Sequence, residues 1–494
     1  MKKRGILIFD IGTSGVKACL FDMAGAVTSS CIAEYPTNYG SGGEVEQNPD
    51  DWVASVIKAS SQIMKEQEDV FVECIGFSGQ MMGLVCIDRD GRAIRPSLIH
   101  SDQRSKEEDK IVTRKMDPID LYRITGHYPS PASPLQKLMW LKRNEPQNYA
   151  MTEKVINAKD YVALKLTGTV VTDHSDASFT NMYDIHQRTW SKELCSIGEI
   201  DEDKLPDIVD SATVIGTVCA DMAKNLGVSS GTPVVIGAGD GPCSSVGCGA
   251  SAIGKTYNYI GSSSWIVSIL KEPAVDPQGR VENGIHPAGN VYHSGGTTQT
   301  AGSAIQKMVD ILYGGDFQAF ENDALKSSLG ANSLQFLPYL NGERVPFWDD
   351  DIRGTITGIS LHTTKADLAR AVMEGVALNL KLIMDIMRQH SLVQNVSIFG
   401  GVTRSDGFCQ ILTDCFGLPV VRLANTENIT SLGAMVIAGV GIGAYDDYLV
   451  AEKMVTVERA FTPNEVLTSF YEEKAKCLED AYNAIKCYYE QRIF

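Results

Sequence analysis

Thr232-Pro233-Val234-Val235-Ile236-Gly237-Ala238-Gly239-Asp240-Gly241 is the stretch on which the fold class turns. Residues 233–236 are apolar, largely β-branched and opened by proline, which predicts a short buried strand. The strand runs into glycines and stops at a single carboxylate. The same grammar occurs at the start of the chain. Residues 5–9, Gly-Ile-Leu-Ile-Phe, read as a strand that runs into Asp10-Ile11-Gly12-Thr13-Ser14-Gly15. Residues 16–21 resume as a strand, turned again by Asp22-Met23-Ala24-Gly25. Helices fall between such strands. Asn48-Pro49-Asp50 opens one that places Val53, Val56, Ile57, Ile63 and Met64 near one face. Residues 74–77 and 84–87 read as further strands. Alternating short strands and helices predict a layered α/β fold.

The pattern restarts past the middle. Residues 255–260 read as a strand, Gly261-Ser262-Ser263-Ser264 as a turn and 265–270 as a second strand, an echo of the N-terminal hairpin. The chain thus reads as two related halves joined near residue 250. In the second half, Gly295-Gly296-Thr297-Thr298 leads to a helix carrying Ile305, Met308, Val309 and Leu312. Residues 366–390 read as a long helix, and 396–399 as a strand ending at Gly400-Gly401. A helix with Phe408, Ile411, Leu412, Cys415 and Phe416 follows, and 464–490 reads as a C-terminal helix.

The bulk properties set the class of partner. A chain of 494 residues exceeds one compact core and suits two domains. A formal net charge of -17 argues against nucleic acid as a partner, since phosphate backbones need clustered Lys and Arg. The 12 cysteines form no paired CxxC units, which reads as free thiols rather than a zinc or disulfide framework. The apolar runs at 6–9 and 431–444 are too short for a secretion signal and a bilayer span respectively. The expectation is a cytoplasmic protein without a membrane partner.

Asp10 beside Gly12-Thr13-Ser14, and Asp240 between Gly239 and Gly241, carry the chemistry. Glycines let backbone N–H groups approach phosphate oxygens, and a carboxylate at such a turn can hold Mg²⁺ through water. Phosphoryl transfer needs little more than a base to orient the nucleophile. Either turn alone is more often a plain α/β connection, and the recurrence of the pattern is what favours chemistry. A competing string, Gly249-Ala250-Ser251-Ala252-Ile253-Gly254-Lys255-Thr256, fits the phosphate-binding pattern GxxxxGK[ST]. That motif needs a strand before it and a helix after it, and here the order reads reversed. The histidines show no metal spacing; His100, ahead of Ser101-Asp102-Gln103-Arg104, is the one nearest a candidate site segment.

Over nearly its whole length the chain resembles the FGGY carbohydrate kinases. The matching residues are Asp10-Ile11-Gly12-Thr13-Ser14-Gly15-Val16-Lys17, Gly76-Phe77-Ser78-Gly79-Gln80-Met81 and Ser101-Asp102-Gln103-Arg104. They continue with Lys137-Leu138-Met139-Trp140-Leu141, Gly237-Ala238-Gly239-Asp240, and Phe336-Leu337-Pro338-Tyr339-Leu340 with Gly342-Glu343-Arg344. Gly358 through Glu374-Gly375-Val376, and Phe399-Gly400-Gly401, match later signatures. The resemblance implies two actin-like, ribonuclease H-like ATPase domains with a cleft between them. Their expected bounds are 1–250 for sugar binding, 251–445 for nucleotide binding and 446–494 as a helical extension.

The resemblance also implies roles. Asp240 matches the catalytic base, and Asp10 the carboxylate near Mg²⁺. Thr13, Ser14 and Lys17 match one phosphate loop and Gly261, Ser262 and Ser263 the other, while Gly302, Gly400 and Gly401 fall in segments that line ATP. Gln80, Met81, Met82 and Asp102 lie where the sugar is held. The implied partner is a small sugar or polyol, and a homodimer is compatible. Within the family the pattern is closest to xylulokinases, from which it departs at Met82, where they usually carry His, and at Gly241, where Asn is common. Each departure removes a polar group able to bind a sugar hydroxyl. Gluconate, ribulose, erythritol and glycerol stay open as substrates beside a ketopentose such as xylulose. Two other readings remain: a nucleotidase built on Lys255, and an actin-like ATP-binding sensor without kinase activity.

Overall fold

The computed structural model describes residues 3–490. The chain forms two compact units, one of Met1–Ser251, Lys271–His293 and Asn428–Val455, the other of Ala252–Leu270, Ser294–Glu427 and Thr456–Phe494. The first crossing falls beside residue 250, near the expected boundary. The units are otherwise not contiguous in sequence, because two later segments return to the first. The expected extension at 446–494 is likewise divided. Residues up to Val455 pack in the first unit, and the chain from Thr456 belongs to the second.

In the first unit the strands lie in the order Val214–Thr217, Pro233–Val235, Val70–Gly79, Lys3–Ile11, Gly15–Asp22, Val27–Glu34, with Ala238–Gly239 also paired to Val70–Gly79. Lys3–Ile11 pairs antiparallel with Gly15–Asp22 and parallel with Val70–Gly79. The run at 5–9 is apolar without alternation because both faces of its strand are covered, as is usual for the parallel part of a sheet. Leu7 and Phe9 pack in one core with Trp52 and Val56 of the helix Pro49–Glu66. Ile6 and Ile8 pack in another with Ala434, Met435 and Ala438 of the helix Ile429–Gly441. Successive residues of a strand point to opposite faces, so one uninterrupted run serves two cores. The same helix accounts for the apolar stretch at 431–444, which covers a sheet. Among the described residues no helix is long and apolar enough to cross a membrane.

The second unit repeats the arrangement. Thr256–Ile260 pairs antiparallel with Ser264–Leu270 and parallel with Val396–Phe399, which pairs parallel with Val420–Leu423. A hairpin with a parallel strand beside its first member is thus common to both units, as the echoed sequence pattern predicts. The segment around Gly295-Gly296-Thr297-Thr298, read from sequence only as a lead-in, lies in the strand Tyr292–Thr298. The helix Lys365–His390 is the central helix of this unit, closed at its start by a capping box between Thr364 and Asp367.

Candidate active site

Three parallel strands bring the sequence candidates of the first unit to one sheet end. Asp10 is in register with Ser78, and Ser78 with Ala238; one residue further, Ile11, Gly79 and Gly239 line up. Asp240 follows directly. The strands that end in Asp10 and Asp240 are therefore separated by one strand, about 10 Å at two inter-strand spacings. Ligands of open α/β sheets bind beyond such carboxyl ends of strands.

Asp240 is also the first residue of the helix Asp240–Gly247, where the Gly241 N–H donates to its Oδ1 at 2.8 Å. This helix crosses Ile429–Gly441 at backbone contact. A Cβ on Gly247 would lie 1.8 Å from the Ile429 carbonyl oxygen, and one on Gly433 would lie 1.8 Å from that of Cys243. Gly237, at φ +73, passes so close to Phe77 that a Cβ would stand 1.9 Å from its carbonyl oxygen. Only glycine serves at these positions, and together they fix where Asp240 emerges. The Asp240 side chain reaches solvent. Surrounding protein nevertheless desolvates its carboxyl, which with the charge of Asp10 pushes it up from 3.8 to about 7, against the Gly241 N–H. Asp10 is raised as well, by burial, offset in part by the Ser78 hydroxyl and by Lys17, its cross-strand partner.

The flanking loops are tied to these strand ends. In the turn after Asp10, the Gly12 N–H donates to the Gly15 carbonyl, leaving Thr13 and Ser14 exposed. Gln80 N–H donates to the Ile11 carbonyl, and its Nε2 donates to Gln47, which in turn donates to the Thr13 carbonyl. Gln80 Oε1 is buried with no hydrogen-bond partner among the described residues. Such an atom needs a partner, and a ligand hydroxyl would supply one. Met81 packs where a side chain on Gly239 would be, its Sδ 2.4 Å from that notional Cβ. Met82 holds φ 59°, a left-handed conformation that costs a non-glycine residue on the order of 1 kcal/mol. Asp102 is fully buried and already engaged: it accepts from Val45 N–H at 2.7 Å and from Arg104 Nη2 at 2.7 Å, and Arg104 lies over the Trp140 ring. Its carboxylate ties Val45 to the Asp102–Arg104 turn.

The remaining candidates converge in the second unit. Gly261, Ser262 and Ser263 form the turn of the hairpin Thr256–Ile260 and Ser264–Leu270, with Gly261 N–H donating to the Ser263 carbonyl. Gly302 opens the helix Gly302–Tyr313 and donates to the Gly261 carbonyl at 2.9 Å, so close that a Cβ would stand 2.4 Å from that oxygen. Gly400, at φ +115, ends the strand Val396–Phe399 and would place a Cβ 2.4 Å from the Ile260 carbonyl oxygen. Gly401 next to it is exposed with open space around it. Bare backbone at a helix start is a setting that receives phosphate. Lys255 lies apart from this pattern: its string follows the helix Asp240–Gly247 and enters the strand Thr256–Ile260, the reverse of a phosphate loop.

Two buried lysines escaped a reading by motif alone. Lys137 donates to the carbonyls of Met82 and Ile99, each at 2.8 Å, and burial pushes its ammonium down to about 7. Lys159 is enclosed by Asp160, Asp173 and Asp176 at 2.6–2.9 Å, all fully buried. Ser175, between two of these acids, accepts the Gly239 N–H next to Asp240. The Lys159-Asp160 pair carries no sign of burial in sequence; the other two partner acids, Asp173 and Asp176, lie more than ten residues away.

The sequence model of the FGGY family of carbohydrate kinases, N-terminal domain, matches residues 5–247, and that of the C-terminal domain matches residues 256–442. The chain belongs to the FGGY family of carbohydrate kinases. It is therefore a sugar kinase, and the glycine-bounded Asp10 and Asp240 turns lie in its first family domain. A xylulose kinase of Staphylococcus epidermidis is 30% identical over 98% of this chain and 98% of its own length. A gluconokinase of Bacillus licheniformis is 28% identical over 98% of each. The crystal structure of ligand-bound xylulose kinase from Lactobacillus acidophilus superposes with a TM-score of 0.94 at 27% identity, covering 99% of both chains. Two actin-like domains, each built on the repeated hairpin, are thus the architecture of this kinase.

Proposed function

We propose that this kinase transfers the γ-phosphoryl group of ATP to a terminal hydroxyl of a ketopentose such as xylulose, with Asp240 as the base. The observation that carries the reading is the Asp240 carboxyl, solvent-reachable, one strand away from Asp10 and raised by desolvation and by the charge of Asp10 to about 7. A base is most effective when its pKa lies near the working pH. The Asp240 carboxylate takes the hydroxyl proton as the sugar oxygen bonds to the γ-phosphorus; the bond to the β-phosphate oxygen breaks and ADP leaves. Gln80 Oε1 accepts from a second sugar hydroxyl, and Met81 and Met82 line the acceptor. Gly261, Ser262, Ser263, Gly302, Gly400 and Gly401 of the second unit are assigned to the nucleotide, and Thr13, Ser14 and Lys17 of the first are assigned as phosphate-loop residues.

The residues at the strand ends fit Mg²⁺. Among the described residues no group of three or more His, Cys, Asp or Glu could cage a metal. Two mutually repelling carboxyls suit a cation that comes with the phosphates and keeps most of its water. Asp10 would hold it, and Mg²⁺ bound there offsets phosphate charge.

The similarity to xylulose kinases supports a ketopentose, and that to a gluconokinase supports a sugar acid as a second reading. Gly241 bears on the choice. A Cβ there would find only His293 Cε1, at 3.8 Å, so the position next to the base has room for a bulkier acceptor. ADP release with ATP and Mg²⁺ against D-xylulose, L-xylulose, D-ribulose, L-ribulose, gluconate, glycerol and erythritol tests the reading. A ketopentose standing well above the rest supports it, and gluconate standing above replaces it with the second. ATP turnover indifferent to every sugar contradicts both.

A further inference from the structure

We propose that Lys137 is a positioning residue of the sugar site, clamping the loop that carries Met82 onto the segment that carries Asp102; this rests on the placement of the sugar beside residues 80–82. The clamp joins three elements. Lys137 extends from the helix Pro134–Asn144 and is fully buried, yet its Nζ donates to two backbone carbonyls, Met82 and Ile99, each at 2.8 Å. Ile99 also accepts the Asp102 N–H at 2.9 Å, so one carbonyl is shared between the clamp and the Asp102 turn.

Burying an ammonium is costly, and a lysine is almost never fully enclosed unless its ammonium is paired. Structural burial alone would favour an ion pair. Here the ammonium instead meets two carbonyls on separate segments, with Asp102 near enough to favour its charge. The Met82 carbonyl belongs to the residue in the left-handed conformation. A residue held away from its preferred backbone conformation persists where its surroundings over-determine it, and Lys137 is the hydrogen-bond donor that reaches this one. Releasing Met82 would let the loop relax, moving Met81 with it. Since Gln80 is tied to Ile11 and Gln47, the displacement falls on the sugar side.

The test measures KM for sugar, KM for ATP and kcat for the wild type, Lys137→Met and Lys137→Gln. Methionine keeps the volume and removes the donors; glutamine keeps a shorter donor. Expected for Lys137→Met is a sugar KM raised on the order of tenfold to a hundredfold with ATP KM within about twofold, because misplaced positioning groups act at that scale. Lys137→Gln falls between. A folded Lys137→Met with unchanged sugar KM overturns the proposal, as does a rise in both KM values together. If Lys137→Met does not fold, Lys137→Gln decides by the same split. A wild type that turns over no sugar removes the functional reading and this one with it, whereas wild-type turnover with an unmoved sugar KM overturns the clamp alone.

Discussion

At the residue scale, Asp240 as the proposed base must lose its proton to act, and its carboxyl is raised from 3.8 to about 7 by desolvation first and Asp10 second. Turnover at saturating substrates is therefore expected to rise tenfold per pH unit below an acid limb near 7 and level off above it. A pH–rate profile with its acid limb near 4 would contradict this. The same shift has a sign in stability. Between 3.8 and about 7 the folded chain keeps a proton that the unfolded chain has lost, so this group's contribution weakens stability as pH rises through that window. Asp240→Asn should accordingly raise the melting temperature at about pH 8 while removing activity, which thermal denaturation would check. Asp240 and Asp10 were legible in sequence because glycines flank a lone carboxylate at a strand end. Lys137 was quoted there only as part of a motif, since its role depends on the Met82 and Ile99 carbonyls, 55 and 38 residues distant in the chain respectively.

At the element scale, strands, turns and helix starts bring the ligand groups together, and glycines set how closely they pack. Gly302→Ala would place a Cβ 2.4 Å from the Gly261 carbonyl oxygen, forcing the helix Gly302–Tyr313 off the hairpin turn. The expected result is an ATP KM raised roughly tenfold with sugar KM little changed, read from steady-state kinetics. Gly247→Ala, at the crossing of Asp240–Gly247 with Ile429–Gly441, should cost about 2–4 kcal/mol of stability because backbone rather than a flexible side chain stands in the way. Chemical denaturation measures it. Most of these elements were legible. Buried strands announce themselves by apolar runs and helices by their period, and the false phosphate loop at 249–256 was rejected on element order alone. The strand Tyr292–Thr298 was not legible, because its glycines and threonines lack the apolar signal and its burial comes from neighbours.

At the scale of the whole molecule, one sheet pattern occurs twice, and the proposed reaction assigns acceptor and base to residues of the first unit and the nucleotide to glycines of the second. The halves were legible from the repeated hairpin and its turn. The return of Asn428–Val455 to the first unit was not, since the helix Ile429–Gly441 joins Ile6 and Ile8 across more than 400 residues of sequence. Local pattern tells a helix from a strand but not which sheet the helix covers. Because Lys255 lies outside both groups, Lys255→Ala should change turnover by less than about threefold, as for an exposed charge. ATP should raise the melting temperature of Asp240→Asn as much as that of the wild type, because stabilisation by a ligand follows its affinity and Asp240 is assigned no nucleotide contact.

Whether Asp240 is the base of this sugar kinase is decided by sugar-stimulated ADP release from the wild type and Asp240→Asn, side by side with saturating ATP and Mg²⁺. Strong stimulation of the wild type and a loss of about a thousandfold or more in the variant, with ATP still bound, are expected. Turnover of Asp240→Asn within tenfold of the wild type would contradict that role.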